Sequence, residues 1–203
     1  LPEADGVVAL EPVAVIKLNG GLETTMGVRG PKSLVPVLDG HSFLDVISGQ
    51  MLALRRRFAI GLPLVLMNSE ATREQTLRAL ARHDALSGDL PPDFLQSMIP
   101  KLDAEILAPV SWPAAPELEW CPPGHGDVYG ALRRSGMLAA MLAHGYRYAM
   151  ISNADNLGAT PDARIAALLA AEQVPFLMEV VIGTEADRKG GHIARRRADG
   201  RLV

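Results

Sequence analysis

The sequence predicts an α/β fold with a central mixed, mostly parallel sheet flanked by helices. Short β-branched apolar runs alternate with stretches of helical periodicity, the pattern of strand–loop–helix units. No segment repeats at a fixed period, so a solenoid or propeller is excluded. Each distinctive polar cluster follows directly on a strand-like run, and ligands bind at that carboxyl edge in open parallel sheets.

The first strand is 13–18 (VAVIKL), followed at once by a glycine-rich loop. A helix opens at Ser42, with Asp45 three residues on as a weak capping box, and Ile47, Met51, Leu54 and Phe58 share one face. Gly61, Leu62 and Pro63 end it. The second strand is 64–67 (LVLM). A helix is then expected from about Thr72, with Gln75 as its box partner and Leu77, Leu80 and Ala81 inward. Residues 89–92 read as a turn-rich loop and 94–99 as a short extended piece. Five prolines between 108 and 123 exclude a single regular element there. Asp127 is a good N-cap for a helix whose stripe is Val128, Leu132, Ser135, Ala139 and Leu142, with Gly145 just past its end. Residues 146–152 read as a buried strand. A helix opens at Asp162 with Ile165, Leu168 and Leu169 inward, and 175–182 (PFLMEVVI) reads as a strand. From Gly191 a hairpin is expected around Asp199 and Gly200, with a returning arm at 201–203 too short to finish it. The expectation is a stretch of a longer chain, cut on its C-terminal side.

With 48% hydrophobic and 21% charged residues among 203, the chain has globular composition, which argues against wholesale disorder. A net charge of −3 leaves no electrostatic footprint for DNA or RNA. The apolar runs fall short of the ~20 residues of a membrane helix, and no secretion signal opens the chain. The single cysteine, Cys121, can make neither an internal disulfide nor a thiolate zinc site by itself. A cytoplasmic location is expected; the sequence is silent on oligomeric state.

Four clusters carry chemistry. The first spans 17–33 (KLNGGLETTMGVRGPKS). Its glycines let the backbone bend tightly and approach a ligand, successive amides can cradle phosphate oxygens, and Lys32 can add a charge to them. It is neither a GxGxxG fingerprint nor a Walker A loop, since the spacing is wrong and a proline precedes the lysine. The second is 122–127 (PPGHGD), where glycines flank His125 at a helix start that favours anions. The third is 152–156 (SNADN), where a carboxylate facing phosphates suits Mg²⁺, or an Asx-turn caps the strand. The fourth runs from Met178 to Gly191. There Glu179 either accepts bonds from sugar hydroxyls or faces solvent, and Gly190 and Gly191 permit close backbone approach.

Together these motifs resemble the UTP–glucose-1-phosphate uridylyltransferase (UDP-glucose pyrophosphorylase) family. The family loop KLNGGLGTTMGCKGPKS is matched by 17–33, PLVLMNS by 63–69, and FNQSRYPRI more loosely by 94–102. PPGHGD is identical at 122–127, SNIDNLGAT matches 152–160 apart from Ala154, and MEV and KGG recur at Met178 and Lys189. The resemblance covers almost the whole chain in family order. It implies a Rossmann-like nucleotidyltransferase domain over 1–203, usually followed by a C-terminal β domain that is missing from this stretch. It further implies that UTP and glucose 1-phosphate are the partners, with no nucleic acid and no membrane, and that Mg²⁺ is the cofactor. Leu18, Asn19, Gly20 and Gly21 would hold the nucleotide and Lys32 its phosphates. Met67, Gln96 and Gly124 would line the uracil, His125 and Asn153 would meet the sugar phosphate, Asp155 would hold the metal, and Gly190 and Gly191 would sit near glucose.

Two departures stand out. Glu23 replaces a family glycine and Arg29 a family lysine. A second phosphate-binding lysine of the family, farther downstream, has no counterpart here, which leaves open whether this stretch alone is active. The reaction implied is an in-line displacement at the α-phosphorus of UTP, for which no protein nucleophile is required. The related UDP-N-acetylhexosamine pyrophosphorylases resemble LAGGxGTRLG at the loop, so LNGGLETTMG favours glucose. A non-catalytic UTP-binding module is the alternative of a different class.

Overall fold

The computed structural model describes residues 3–21, 30–83, 86–184 and 193–202. In chain order the elements are α1 (Glu3–Leu10), β1 (Val13–Asn19), β2 (Pro36–Leu38), β3 (His41–Ser42), α2 (Phe43–Phe58), β4 (Leu64–Asn68), α3 (Glu70–Leu80) and β5 (Asp93–Leu95). There follow β6 (Ile99–Pro100), β7 (Trp120–Cys121), α4 (Val128–Arg134), α5 (Met137–Ala143), β8 (Tyr148–Asn153) and α6 (Ala163–Glu172). The main sheet has the order β5–β4–β1–β8 with every described pairing parallel, and β2–β3 and β6–β7 are small antiparallel pairs beside it. No helix among the described residues is long and apolar enough to cross a membrane.

Alternation along β1 builds the two layers of the core. Val13 and Val15 pack with Leu64 and Leu66 of β4 against Leu44, Ile47 and Met51 of α2. Ala14 and Ile16 face the other way, with Val65, Met67 and Phe94, against Val128 and Leu132 of α4 and Met137 and Met141 of α5. A strand buried on both faces must read as a continuous apolar run, and β1 does so until Lys17.

Several helix expectations shift. α2 begins as anticipated, with the Ser42 hydroxyl accepting from the Asp45 amide (3.2 Å) and the Asp45 carboxylate accepting from the Ser42 amide (2.9 Å). α3 starts earlier than Thr72: Ser69 is its cap, and the Thr72 hydroxyl, not Gln75, accepts from the Ser69 amide at 3.0 Å. Its buried face is Thr72, Thr76, Ala79 and Leu80, and Ala81 is exposed beyond its end. The long helix expected after Asp127 is two helices, because Gly136 adopts φ +80°, a left-handed conformation that ends α4 and starts α5 in a new phase. Met137 and Met141 therefore turn inward, whereas Ala139 and Leu142 are exposed. α6 likewise buries Ala163, Ala166 and Ala167 instead of Leu168, since small residues allow α1 to lie close against it.

The strand expectations at the C-terminal side change more. β8 forms, yet it is only half-buried, because no described strand lies on its far side. Residues 175–182 are not a strand. Val181 is 83% and Ile182 95% exposed, and with no described neighbour to pair with, β-forming residues alone do not make a ladder. The terminal hairpin is present as a bridge between Arg195 and Leu202, though the turn between them is longer than the two residues expected: the Arg196 amide bonds to the Arg201 carbonyl at 2.8 Å. Helix α1 is a feature the sequence reading does not contain.

At the start of α2, burial pushes the Asp45 carboxyl up. Bonds from the Ser42 hydroxyl and amide, His83 at 3.0 Å and the Arg82 guanidinium outweigh it, and the net result is a fall to about 2. A carboxylate whose folded value lies below its unfolded one stabilises the fold above the unfolded value and loses that contribution as pH falls through the folded one. Asp45→Ala is therefore expected to cost about 2 kcal/mol at pH 7. The difference from the parent should shrink between pH 4 and pH 2 in urea unfolding experiments; a constant difference would remove Asp45 from the acid response.

Candidate functional site

The carboxyl ends of β1 and β8 lie side by side, with Leu18 opposite Asn153, and the Ala154 amide donates to the Leu18 carbonyl at 3.0 Å. Over this edge opens a cleft of about 120 Å³. Leu18, Asn19 and Gly21 form its floor, and Lys32, His125, Asn153 and Asp155 stand around it. Seven of the residues singled out in the sequence thus converge on one place, although more than a hundred positions separate Leu18 from Asn153.

Lys32 opens a short 3₁₀ turn, and its amide donates back to the Gly21 carbonyl at 3.3 Å. Its ammonium stands 3.9 Å from Asp155 Oδ2, with both side chains more than a third exposed. An exposed pair this loose is worth at most about 1 kcal/mol, so an incoming anion or cation can take either partner cheaply. His125 begins the 3₁₀ turn that leads into α4, preceded by Gly124, and is exposed. The described residues contain no group of three or more His, Cys, Asp or Glu side chains able to hold a metal. Asp155 offers a single accessible carboxylate, a donor set that suits Mg²⁺ carried mainly by phosphate oxygens rather than caged by protein.

Behind the cleft the sheet edge is braced by polar contacts. Asn19 Nδ2 donates to Asn68 Oδ1 (2.7 Å) and to Thr76 Oγ1 (3.0 Å). Asn68 Nδ2 in turn donates to Asp93 (3.1 Å), which Arg73 also holds at 2.9 Å. The ladder crosses β1, β4 and β5 and fixes the height at which Asn19 meets the cleft. Gln96, just beyond β5, is buried, and its Nε2 has no partner. It lies flat over Gly20: a Cβ at that position would come within 2.1 Å of Gln96 Nε2. Next to it, Ser97 donates its amide to Asp127 Oδ2 at 2.6 Å, and Arg134 Nη2 reaches Asp127 Oδ1 at 2.6 Å. Burial raises the Asp127 carboxyl, while these bonds pull it below its ordinary range. Asp127 so ties the Gln96 segment to the start of α4.

The remaining expectations fall differently. Met67 is fully buried against Phe94 and Val128, beneath the edge and not in the cleft wall. Glu179 is exposed in a stretch without regular structure and does not line the cleft. Glu23, Gly190 and Gly191 lie outside the described residues. A larger open hollow of about 460 Å³ beside α2 and α3 contains none of the predicted site residues; Arg82 there is paired with Asp45, and Arg78 with Glu74. The sequence reading passed over Lys17, a lysine completing an apolar strand, which was itself a signal.

A family model described as UTP–glucose-1-phosphate uridylyltransferase matches residues 2–203. The chain belongs to that family. It is 44% identical to a probable UTP–glucose-1-phosphate uridylyltransferase of Schizosaccharomyces pombe, over 90% of this chain and 36% of that protein. It is 43% identical to the UTP–glucose-1-phosphate uridylyltransferase of Solanum tuberosum, over 90% of this chain and 38% of that one. The chain therefore spans less than two-fifths of the length of these relatives. Among solved structures it resembles a UDP-glucose phosphorylase of Trypanosoma brucei, with TM-score 0.89 and 43% identity over 97% of this chain and 42% of that one. It also resembles a mutant UDP-glucose pyrophosphorylase of Leishmania major in complex with UDP-glucose, with TM-score 0.85 and 39% identity over 100% of this chain and 43% of that one. The fold of these neighbours is that of a nucleotidyltransferase, as the motifs led us to expect.

The contact between Gly20 and Gln96 can be measured directly. Gly20→Ala should cost about 1–3 kcal/mol by overpacking. Adding Gln96→Ala to the same chain should recover most of that loss in denaturant unfolding. Losses that simply add would mean the two residues do not touch.

Proposed function

We propose that this chain is the nucleotide-binding catalytic domain of a uridylyltransferase that makes UDP-glucose and pyrophosphate from UTP and glucose 1-phosphate. The observation that carries this reading is the cleft in which Lys32 and Asp155 face each other at 3.9 Å, above the Leu18–Gly21 strand end and beside His125 and Asn153. The activity by which the relatives are named agrees with it.

A phosphate oxygen of glucose 1-phosphate attacks the α-phosphorus of UTP, and the bond from that phosphorus to the β-bridging oxygen breaks to release pyrophosphate. Both reactants are anionic, so the protein's task is alignment and charge neutralisation. Lys32 neutralises charge on the triphosphate, with the backbone of Asn19, Gly20 and Gly21 beneath it. Gln96, its Nε2 buried and unpaired, meets the uracil edge, with Gly124 on the same side and Met67 supporting the edge from the core beneath. His125 and Asn153 orient the sugar phosphate, and Gly190 and Gly191 belong to the sugar side. Asp155 would hold Mg²⁺, which would supply further neutralisation of the phosphate charge.

The test is pyrophosphate release by the full-length protein, with glucose 1-phosphate and N-acetylglucosamine 1-phosphate offered in competition. UDP-glucose should be the product. Lys32→Ala should lower turnover by about 10²–10³-fold. UTP binding in calorimetry without any product would instead mark a nucleotide-binding module.

A further inference from the structure

Asp155 belongs to the loop that follows β8, and that loop is held to the body of the protein from two sides. Lys17, the last inward-facing residue of β1 before Asn19, is only 2% exposed. Its Nζ donates to the Ala159 carbonyl at 2.9 Å and to the Asn156 carbonyl at 3.4 Å. Gln50 of α2 donates from Nε2 to the Leu157 carbonyl at 3.1 Å. Inside the loop, Asn156 Oδ1 accepts from the Gly158 and Ala159 amides at 3.1 and 3.2 Å, which shapes the turn but ties it only to itself. Before Asp155 the Ala154 amide ties the chain to the Leu18 carbonyl of β1; beyond Asp155, the hydrogen bonds to the sheet and to α2 among the described residues come from these two side chains.

We propose that Lys17 and Gln50 are positioning residues that clamp the loop after β8 and so fix Asp155 opposite Lys32. The inference rests on the reading of Asp155 as the metal-holding carboxylate. Lysine suits this place for a chemical reason: it carries three donors and no acceptor on a long stem, so one side chain spans two carbonyls that face the same way. A buried ammonium bonded to carbonyls is a poor way to gain stability, and an apolar residue of equal volume would serve packing better. What the ammonium provides is geometry. Residues behind a metal ligand that set its orientation control affinity without touching the ion.

The experiment uses the full-length protein with Lys17→Met and Gln50→Leu. Mn²⁺ affinity in the presence of UTP is read from the free-ion paramagnetic signal, and amide hydrogen exchange is followed across residues 154–159. Lys17→Met should weaken Mn²⁺ binding about tenfold, and Gln50→Leu more modestly, with faster exchange at Gly158 and Ala159 in both. Combined with Asp155→Asn, Lys17→Met should cost nothing more, because it acts through the same carboxylate. Unchanged Mn²⁺ affinity and exchange in Lys17→Met, or losses that add to those of Asp155→Asn, would overturn the clamp. If Lys17→Met does not fold, Gln50→Leu, at a half-buried position, decides by the same two readouts. A parent protein that binds UTP but no Mn²⁺ would refute the role of Asp155, and the exchange rates would still judge the clamp itself.

Discussion

β1 is bonded on both sides, to β4 and to β8, and covered on both faces, so every residue in it must satisfy neighbours in two directions. Four apolar side chains do this by packing, two toward each layer of helices. At Lys17 the demand changes. The strand is about to leave the sheet, and the carbonyls and amides at its end need partners that apolar groups cannot provide. The Ala154 amide meets the Leu18 carbonyl, and a run of polar side chains takes over where the core stops: Lys17 bonds carbonyls of the loop after β8, and Asn19 bonds Asn68 and Thr76. The cleft begins at that boundary, and the bonds from Asn19 to Asn68 and Thr76 brace its floor.

The arrangement also explains why residues so distant in the chain act in one place. Parallel strands all point their carboxyl ends the same way, and each is followed by a loop on that side. The loop after β1 leads to Lys32, the one after β8 bears Asp155, and the one after β5 bears Gln96. Asp127 then draws the start of α4 toward Ser97, bringing His125 within reach of the same edge. No loop builds the cleft alone; the common direction of the strands does.

How far this could be read in advance depended on whether the deciding interaction was local. The Ser42–Asp45 cap and the inward stripe of Ile47 and Met51 are contained within a few residues and are legible in the sequence; the end of α2 falls at a left-handed Ala59, just ahead of the expected Gly61. Leu18, Lys32, His125 and Asp155 come from three separate motifs, and the structure brings these four residues to one cleft. What escaped the reading was set by packing at a distance. The phase change at Gly136 depends on which methionines meet Ile16 and Met67 across the core. The inward face of α6 is alanine and not leucine because α1 lies against it. Lys17 looked like an ordinary strand residue, and its importance lies in carbonyls some 140 positions away. Residues 175–182 differ for the opposite reason: their β-forming composition is genuine, and among the described residues no strand pairs with them.

That last stretch has a practical side. Phe176, Met178, Val180, Val181 and Ile182 leave a run of apolar side chains in contact with water, and β8 has an open edge among the described residues. Such pieces attract their own kind. Masking them, by a covering segment or by charged replacements, is what would keep the polypeptide dispersed at the bench.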